Sequence, residues 1–398
     1  MSGLTPLGDA LEQVLAQAPC APEREDVALM DGLGRVLAED ISSSVDVPLG
    51  DNSAMDGYAL RAAESHKPLP VAQRIPAGVV GAPLAPGTAA RIFTGAELPA
   101  GADAVAMQEN CIEQSGEVSI EGELSVGANV RPRGQDIAAG STVLQRGRQL
   151  RAQDLGLLAS VGRAEVSVYR RLRIAVLSTG DELREPGQGD LAPGQLYNSN
   201  RYTLSGLIRA LGMEFVDGGI VADTPEATAE ALADAASRAD VVITSGGVSV
   251  GEEDHVKGQV ERLGALSLWK LAIKPGKPLA FGRIGETPFI GLPGNPTSVF
   301  VTFNLVAKPF LQKMQGLDEP GLPTLKARAE FSVERAGGRQ DYLRVNVEQS
   351  DTGLVAQRFA NQSSGVLSSV SYCNALAVIP IGTTVAPGDE LDVILLDA

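Results

Sequence analysis

Between Arg173 and Met314, short and mostly apolar runs alternate with stretches whose apolar positions recur every three or four residues. The runs cover 173–177, 215–221, 240–243 and 289–292, and such continuous apolarity marks strands buried on both faces. Between the first two, Leu204, Leu207, Ile208 and Leu211 predict a helix entered through Asn198-Ser199-Asn200 and closed by Gly212. Thr224 caps the next helix, with Pro225 in its first turn. Asp254 can cap a third, bearing Val256, Val260 and Leu263 on one face and Gly264 as its stop. The last helix carries Val299, Phe303, Val306 and Phe310, and Pro309 is expected to kink it. Four strand-then-helix units predict a doubly wound parallel α/β domain, in which ligands bind beyond the carboxyl ends of the strands. Those ends are 178–182, 222–224, 245–254 and 291–296, all rich in Gly, Ser, Asn and carboxylates.

The flanks have another texture. Residues 4–18 read as an amphipathic helix through Leu7, Leu11, Val14 and Leu15, and 28–41 as a short helix interrupted at Gly32 and Gly34. From 43 to 140, β-like runs at 71–75, 90–93, 104–107 and 118–120 alternate with Pro and Gly turns, predicting a small β-rich domain. A helix over 153–161 and a strand over 165–169 follow. Past Gly321, strands at 325–331, 341–348, 353–359, 374–379 and 390–396 predict a small β-barrel.

Composition narrows the function. A length of 398 residues suggests several domains, and no apolar run approaches the roughly 20 residues needed to span a bilayer. The N-terminus lacks a signal-peptide pattern, and the isolated Cys20, Cys111 and Cys373 suit a reducing cytoplasm. With only His66 and His255, a zinc site or a His-based triad is not expected. The net charge of −16 argues against nucleic acid as a partner. It would also repel an anionic ligand at long range, so local cations or a metal must outweigh it.

The loop at 245–254, with Ser245, Gly246, Gly247 and Ser249, could cradle a phosphate on its N–H groups or simply form a tight turn before a capped helix. In 269–278, strand alternation puts Lys270 and Lys274 on one face, about 13 Å apart, where they could serve an elongated polyanion. Lysines guarding an edge strand are the plainer reading. Gly294, Asn295 and Pro296 form a further strand-to-helix loop. Glu182, Asp223 and Asp254 stand at strand ends and together could hold Mg²⁺, which favours oxygen ligands and bridges phosphates. Asp56 and Asp136, in polar loops, would otherwise pass as turn residues.

Residues 52–60, 91–96, 131–136, 178–183, 246–254, 269–278 and 291–296 resemble, in order along nearly the whole chain, the motifs of the molybdopterin molybdenumtransferase (MoeA) family, related to the E domain of gephyrin. Gln135 stands where that family usually has Glu, and 361–364 match its motif loosely. The resemblance implies insertion of molybdate into adenylylated molybdopterin with Mg²⁺ assistance, releasing AMP. It puts functional positions at Asp56, Thr94, Asp136, Glu182, Asp223, Asp254, Lys270, Lys274, Arg344 and Ser364. It further implies an elongated cytoplasmic homodimer, whose cleft lies between one subunit's α/β domain and the partner's other domains. An upstream adenylyltransferase or downstream molybdoenzyme machinery are the other partners it suggests. The expected division is 1–24, a helix on the α/β domain; 25–42 with 139–171, a linking domain; 43–138, β-rich; 172–320, α/β; and 321–398, a β-barrel. A molybdopterin adenylyltransferase and a gephyrin-like scaffold are the alternatives.

Overall fold

In the computed structural model, which describes residues 3–19, 21–247, 255–318, 320–321, 323–351 and 353–396, the chain falls into two units. The larger comprises Met1–Glu25, Gly34–Ala38 and Val168–Ala398, and the smaller Asp26–Leu33 and Glu39–Ser167.

A six-stranded sheet organises the larger unit, in the order Glu214–Val221, Arg173–Thr179, Val241–Ser245, Thr287–Leu292, Pro278–Ile284 and Gly264–Lys270. The first four strands are parallel, and the last two extend the sheet antiparallel. Alternation along each parallel strand feeds two cores. Ile174, Val176, Ile243 and Ile290 pack with Leu204, Ile208, Val299 and Phe303. Ala175, Leu177, Val242 and Phe289 pack with Leu232, Ala235, Val256 and Val260. Helices therefore cover both faces, which is why these strands read as unbroken apolar runs.

The punctuation acts locally as expected. Asn198 accepts a hydrogen bond from Arg201 N at the start of Ser199–Ala210, and Thr224 accepts one from Ala227 N at the start of Pro225–Arg238. The expected cap Asp254 lies outside the described residues. The helix His255–Leu263 ends immediately before Gly264, as expected of its stop. Gly264 also opens the edge strand, where a Cβ would sit 2.1 Å from Arg283 O, so only glycine permits the pairing. Ahead of Pro309 the last helix widens into a π-helical turn, Phe303–Ala307, between Pro296–Thr302 and Lys308–Met314.

Two readings of the chain change. Residues 28–41 form one 3-10 turn, Leu29–Asp31, and extended chain rather than a helix. Val36, Leu37 and Ala38 are all buried in succession, a pattern no amphipathic helix gives. Residues 269–278 are not one strand. Gly264–Lys270 ends the sheet, and after a break Ile273–Lys274 pairs in parallel with Gln340 and Asp341. Near the N-terminus the helix spans Leu7–Ala16, preceded by backbone bonds from Thr5 N to Lys270 O (2.8 Å) and from Ala272 N to Thr5 O (2.7 Å). Its Ala10 and Val14 join the core beneath the sheet.

The C-terminal part of this unit is a closed five-stranded barrel. Gln340–Ser350, Gly353–Arg358, Thr324–Ala329, Glu390–Leu395 and Ala375–Ile379 pair in turn, and the last pairs back with the first. Closure leaves no free edge. Its interior is tight, with Ala329, Ala356, Ala375 and Ala377 among the buried residues.

The smaller unit holds a second six-stranded sheet, ordered Ala104–Met107, Gly57–Leu60, Ala89–Ile92, Leu69–Ile75, Glu117–Ile120 and Cys111–Gln114. Its inner strand Gly57–Leu60 is buried throughout, with Ala59 in one core and Tyr58 and Leu60 in the other. Among the described residues, no helix is long and apolar enough to cross a membrane.

Candidate active-site cleft

A cleft of about 820 Å³ opens at the carboxyl ends of the parallel strands in the larger unit. Three strand-end loops supply its floor: Thr179 and Gly180, Ser245 to Gly247, and Pro293 to Pro296. Gly246 and Gly247 take φ of 92° and 68°, a conformation that turns successive backbone groups along the wall. Asn200 ties two loops together by donating from Nδ2 to Ser245 Oγ (2.8 Å) and to Gly294 O (2.7 Å).

The opposite wall comes from the barrel and from the segment joining it to the sheet. Parallel pairing of Ile273 and Lys274 with Gln340 and Asp341 carries Lys274 into the cleft, where its Nζ lies 3.3 Å from Asp341 Oδ2. Pro275 and Gly276 then turn the chain and bring Lys277 to the same wall. Gly276 has φ of 100°, and a Cβ there would lie 2.3 Å from Thr302 Oγ1. Arg339 adds a third cation, its Nη1 donating to Ile273 O at 3.1 Å. The barrel loop with Gln362, Ser363 and Ser364 is pinned to the helix start by bonds from Thr297 N to Ser364 O (3.1 Å) and from Thr297 Oγ1 to Val366 O (3.0 Å).

Arg344 lies behind this loop rather than in the cleft wall. It is 1% exposed and makes no ion pair among the described residues. Its Nε donates to Ser369 Oγ (3.0 Å) and its Nη2 to Ser363 O (3.2 Å). Burial pushes its pKa down to about 10, because a charge taken out of water without a counter-ion is destabilised. Gln362 clamps the same backbone, accepting from Arg344 N (3.0 Å) and donating to Arg344 O (2.9 Å).

The cleft thus gathers Glu182, Asp223, Ser245, Gly246, Gly247, Lys274, Gly294, Asn295, Pro296 and Ser364. Lys270 is not in its wall: the residue ends the edge strand, exposed, because the break after it separates it from Lys274. Ser249 and Asp254 lie outside the described residues. Lys277 and Arg339 are the cations that sequence reasoning missed. A continuous strand would turn Lys277 away, and only the turn at Pro275-Gly276 returns it. Nothing in the sequence around Arg339 signals its place, which depends on pairing across the barrel.

Among the described residues no group of three or more His, Cys, Asp or Glu side chains could hold a metal alone. Glu182 and Asp223 nonetheless share the cleft with cationic groups. Two carboxylates fit Mg²⁺, which keeps several waters and completes its shell with phosphate oxygens.

In the smaller unit, Asp56 Oδ1 accepts from both Thr94 N and Thr94 Oγ1, each at 2.8 Å. The backbone bond first, then the hydroxyl, holds the Asp56 carboxyl below the ordinary carboxylate range. Arg91 stands nearby, bonded to Gly57 O (3.0 Å) and facing the rings of Tyr58 and Phe93. Asp136 occupies an exposed turn fixed by its backbone bond to Val47 O, without a side-chain bond to Asp56 or Thr94.

Comparison with known proteins matches three family models along the chain. Residues 5–162 match "MoeA N-terminal region (domain I and II)", 175–313 match "Probable molybdopterin binding domain", and 326–396 match "MoeA C-terminal region (domain IV)". The molybdopterin molybdenumtransferase of Haemophilus influenzae is 40% identical over 94% of this chain and 94% of its own length. That of a Nostoc species is 38% identical over 98% of this chain and 93% of its own. The crystal structure of the molybdopterin biosynthesis MoeA protein from Pyrococcus horikoshii superposes with a TM-score of 0.87 at 30% identity, covering 99% of this chain and all of that one.

Proposed function

The chain belongs to the MoeA family of molybdopterin molybdenumtransferases, and from that membership we infer an enzyme that inserts molybdenum into molybdopterin during molybdenum cofactor biosynthesis. Its relatives match along nearly the whole length. An adenylyltransferase would need only the α/β part, and a scaffold would have no use for a charged cleft.

We further propose that the substrate is adenylylated molybdopterin, that molybdate is the second substrate, and that AMP is released. The observation that carries this reading is the joint presence of Lys274, Lys277 and Arg339 in one cleft with two glycine-rich loops, within a chain of net charge −16. A phosphoanhydride carries its charge on oxygens. Three cations within one concave site can outweigh the repulsion of the whole chain, because charges in close contact interact more strongly than distant charges screened by salt.

In this mechanism the lysines and Arg339 bind the phosphates and hold the anhydride against the strand ends. The N–H groups around Gly246 and Gly247 add neutral donors to the developing charge. Lys274 is kept in place by Asp341, a positioning partner on the barrel. The acceptor of molybdenum is the substrate's own dithiolene, whose condensation with molybdate releases water, and water at the anhydride phosphorus displaces AMP, so no nucleophile of the protein is needed. Glu182 and Asp223, with Asp254 on the family motif, would hold Mg²⁺, whose chemistry when bound is to polarise the phosphate oxygens. Asp56, Thr94, Asp136, Lys270, Arg344 and Ser364 enter the proposed set on the family motif, and Ser249 as part of the phosphate-cradling loop. The proposal includes a homodimer acting in the cytoplasm.

The experiment is direct. Purified protein is incubated with adenylylated molybdopterin and Mg²⁺, with and without molybdate, and AMP and active cofactor are followed. Molybdate-dependent appearance of both, in equal amounts, is expected. Formation of adenylylated molybdopterin and pyrophosphate from ATP and molybdopterin supplied in a parallel incubation, with no active cofactor made, would assign it the preceding step.

A further inference from the structure

One wall of the cleft differs from the rest. Residues 181–197 leave the sheet after Gly180 and return as a small flap in which Leu183 and Arg184 pair in parallel with Leu196 and Tyr197. Backbone bonds from Leu196 N to Glu182 O and from Asn198 N to Arg184 O, both 2.9 Å, fasten its two arms. Tyr197 lines the cleft and is the only aromatic ring among its described lining residues. It is 41% exposed, beside Leu196 at 48%.

An exposed tyrosine commonly swings freely, but this one does not. Its hydroxyl donates to Gly189 O across the flap at 3.0 Å, so the polar end is already satisfied. What the side chain offers the cleft is its ring. A fixed aromatic face in a site otherwise built of backbone, amides and charges suits a planar heteroaromatic ring, because stacking needs area and geometry but no hydrogen-bond code.

We propose that Tyr197, with Leu196 beside it, forms the subsite that takes a planar nitrogen-heteroaromatic ring of the anionic ligand by stacking. This rests on the reading of the cleft as the site of a phosphate-bearing pterin nucleotide. The cleft volume of about 820 Å³ lies in the range that encloses a ligand of that class and exceeds what its phosphates alone require. Both the adenine and the pterin carry the needed chemistry, and the ligands used in the test separate them.

The test is calorimetric titration of wild type, Tyr197→Phe and Tyr197→Ala with AMP, ribose 5-phosphate and molybdopterin. Tyr197→Ala should weaken one ring-bearing ligand by about 5- to 100-fold, the worth of one stacked base. Ribose 5-phosphate should bind unchanged. Tyr197→Phe, which loses the bond to Gly189 but keeps the ring, should bind like wild type. Loss with AMP assigns the subsite to adenine, and loss with molybdopterin assigns it to the pterin. Wild-type affinity of Tyr197→Ala for both ring-bearing ligands overturns the proposal. So does an equal loss for ribose 5-phosphate, or Tyr197→Phe behaving like Tyr197→Ala, since either marks a flap staple rather than a ring contact. Wild-type protein that binds neither AMP nor molybdopterin overturns the functional reading and the subsite with it.

Discussion

Replacing Gly276 by alanine should damage the cleft without touching any charged group in it. Two separate strains meet at this position. With φ of 100°, an L side chain enters a sparsely populated region of backbone space, costing about 1–3 kcal/mol. The added Cβ would also stand 2.3 Å from Thr302 Oγ1, roughly 1 Å inside ordinary contact, and such overpacking typically costs about 1–3 kcal/mol more. Thr302 is fully buried in the helix Pro296–Thr302, so the loop between Lys274 and Lys277 must give way. A displacement of about 1 Å in a positioning segment is enough to lower activity by about 100-fold. Steady-state AMP release and urea unfolding of Gly276→Ala, Thr302→Ala and the double variant would separate the two strains. Among the described residues Thr302 Oγ1 has no hydrogen-bond partner, so Thr302→Ala alone gives up only a buried methyl and should cost about 1 kcal/mol. The double variant should recover the steric part of the loss but not the backbone part. A Gly276→Ala protein with wild-type activity and unfolding midpoint would refute the reasoning.

Three further outcomes follow from named contacts. Arg344→Met removes a buried cation with no ion-pair partner among the described residues, so urea stability should stay within about 1 kcal/mol of wild type or rise, while AMP release falls at least about ten-fold as the 362–364 wall loosens. Asp56→Ala breaks bonds to an exposed Thr94 that water can replace, so the unfolding midpoint should hold while activity drops by about 100-fold. Asp154, 2% exposed, is held at about 2: burial works against its charge, but bonds from Arg148 and Arg151 overcome it. A depressed folded value means stability that is present above about pH 4 and lost as pH falls toward 2. Asp154→Asn should therefore cost about 1.5–3 kcal/mol in urea unfolding at pH 7, and the gap from wild type should narrow at pH 3.

What could be read from the chain was whatever short-range chemistry decides. Asn198 and Thr224 cap helices because their side chains reach backbone N–H groups three residues on, and the doubly buried strands announce themselves by continuous apolarity. That the cleft forms at the strand ends is a consequence of parallel pairing, so Glu182, Asp223, Ser245 and Asn295 could be gathered in advance. The misplacement of Lys270 turns on distant partners. Whether 269–278 is one strand or two is decided at Gln340 and Asp341, some 70 residues later, where the barrel captures Ile273 and Lys274. That capture separates Lys270 from the cleft and admits Lys277 and Arg339. Gly264 does stop its helix, but its second use, close approach of the edge strand to Arg283, depends on a neighbouring strand and has no local signal. The inner strand Gly57–Leu60 was hidden for the converse reason: the dense polar motif just before it reads as loop, while its own residues are too few to show a period.

In the proposed function, the carboxyl edge of one sheet, completed by cations held against the barrel, grips a multiply charged pterin nucleotide. That grip is tested most directly by the dissociation constant of adenylylated molybdopterin, measured without molybdate at low salt, for wild type and a Lys274→Ala, Lys277→Ala double variant. Affinity at least about 100-fold weaker in the variant, steep salt dependence in the wild type alone, and the same unfolding curve for both are expected. Wild-type affinity in a folded double variant would contradict the proposed grip.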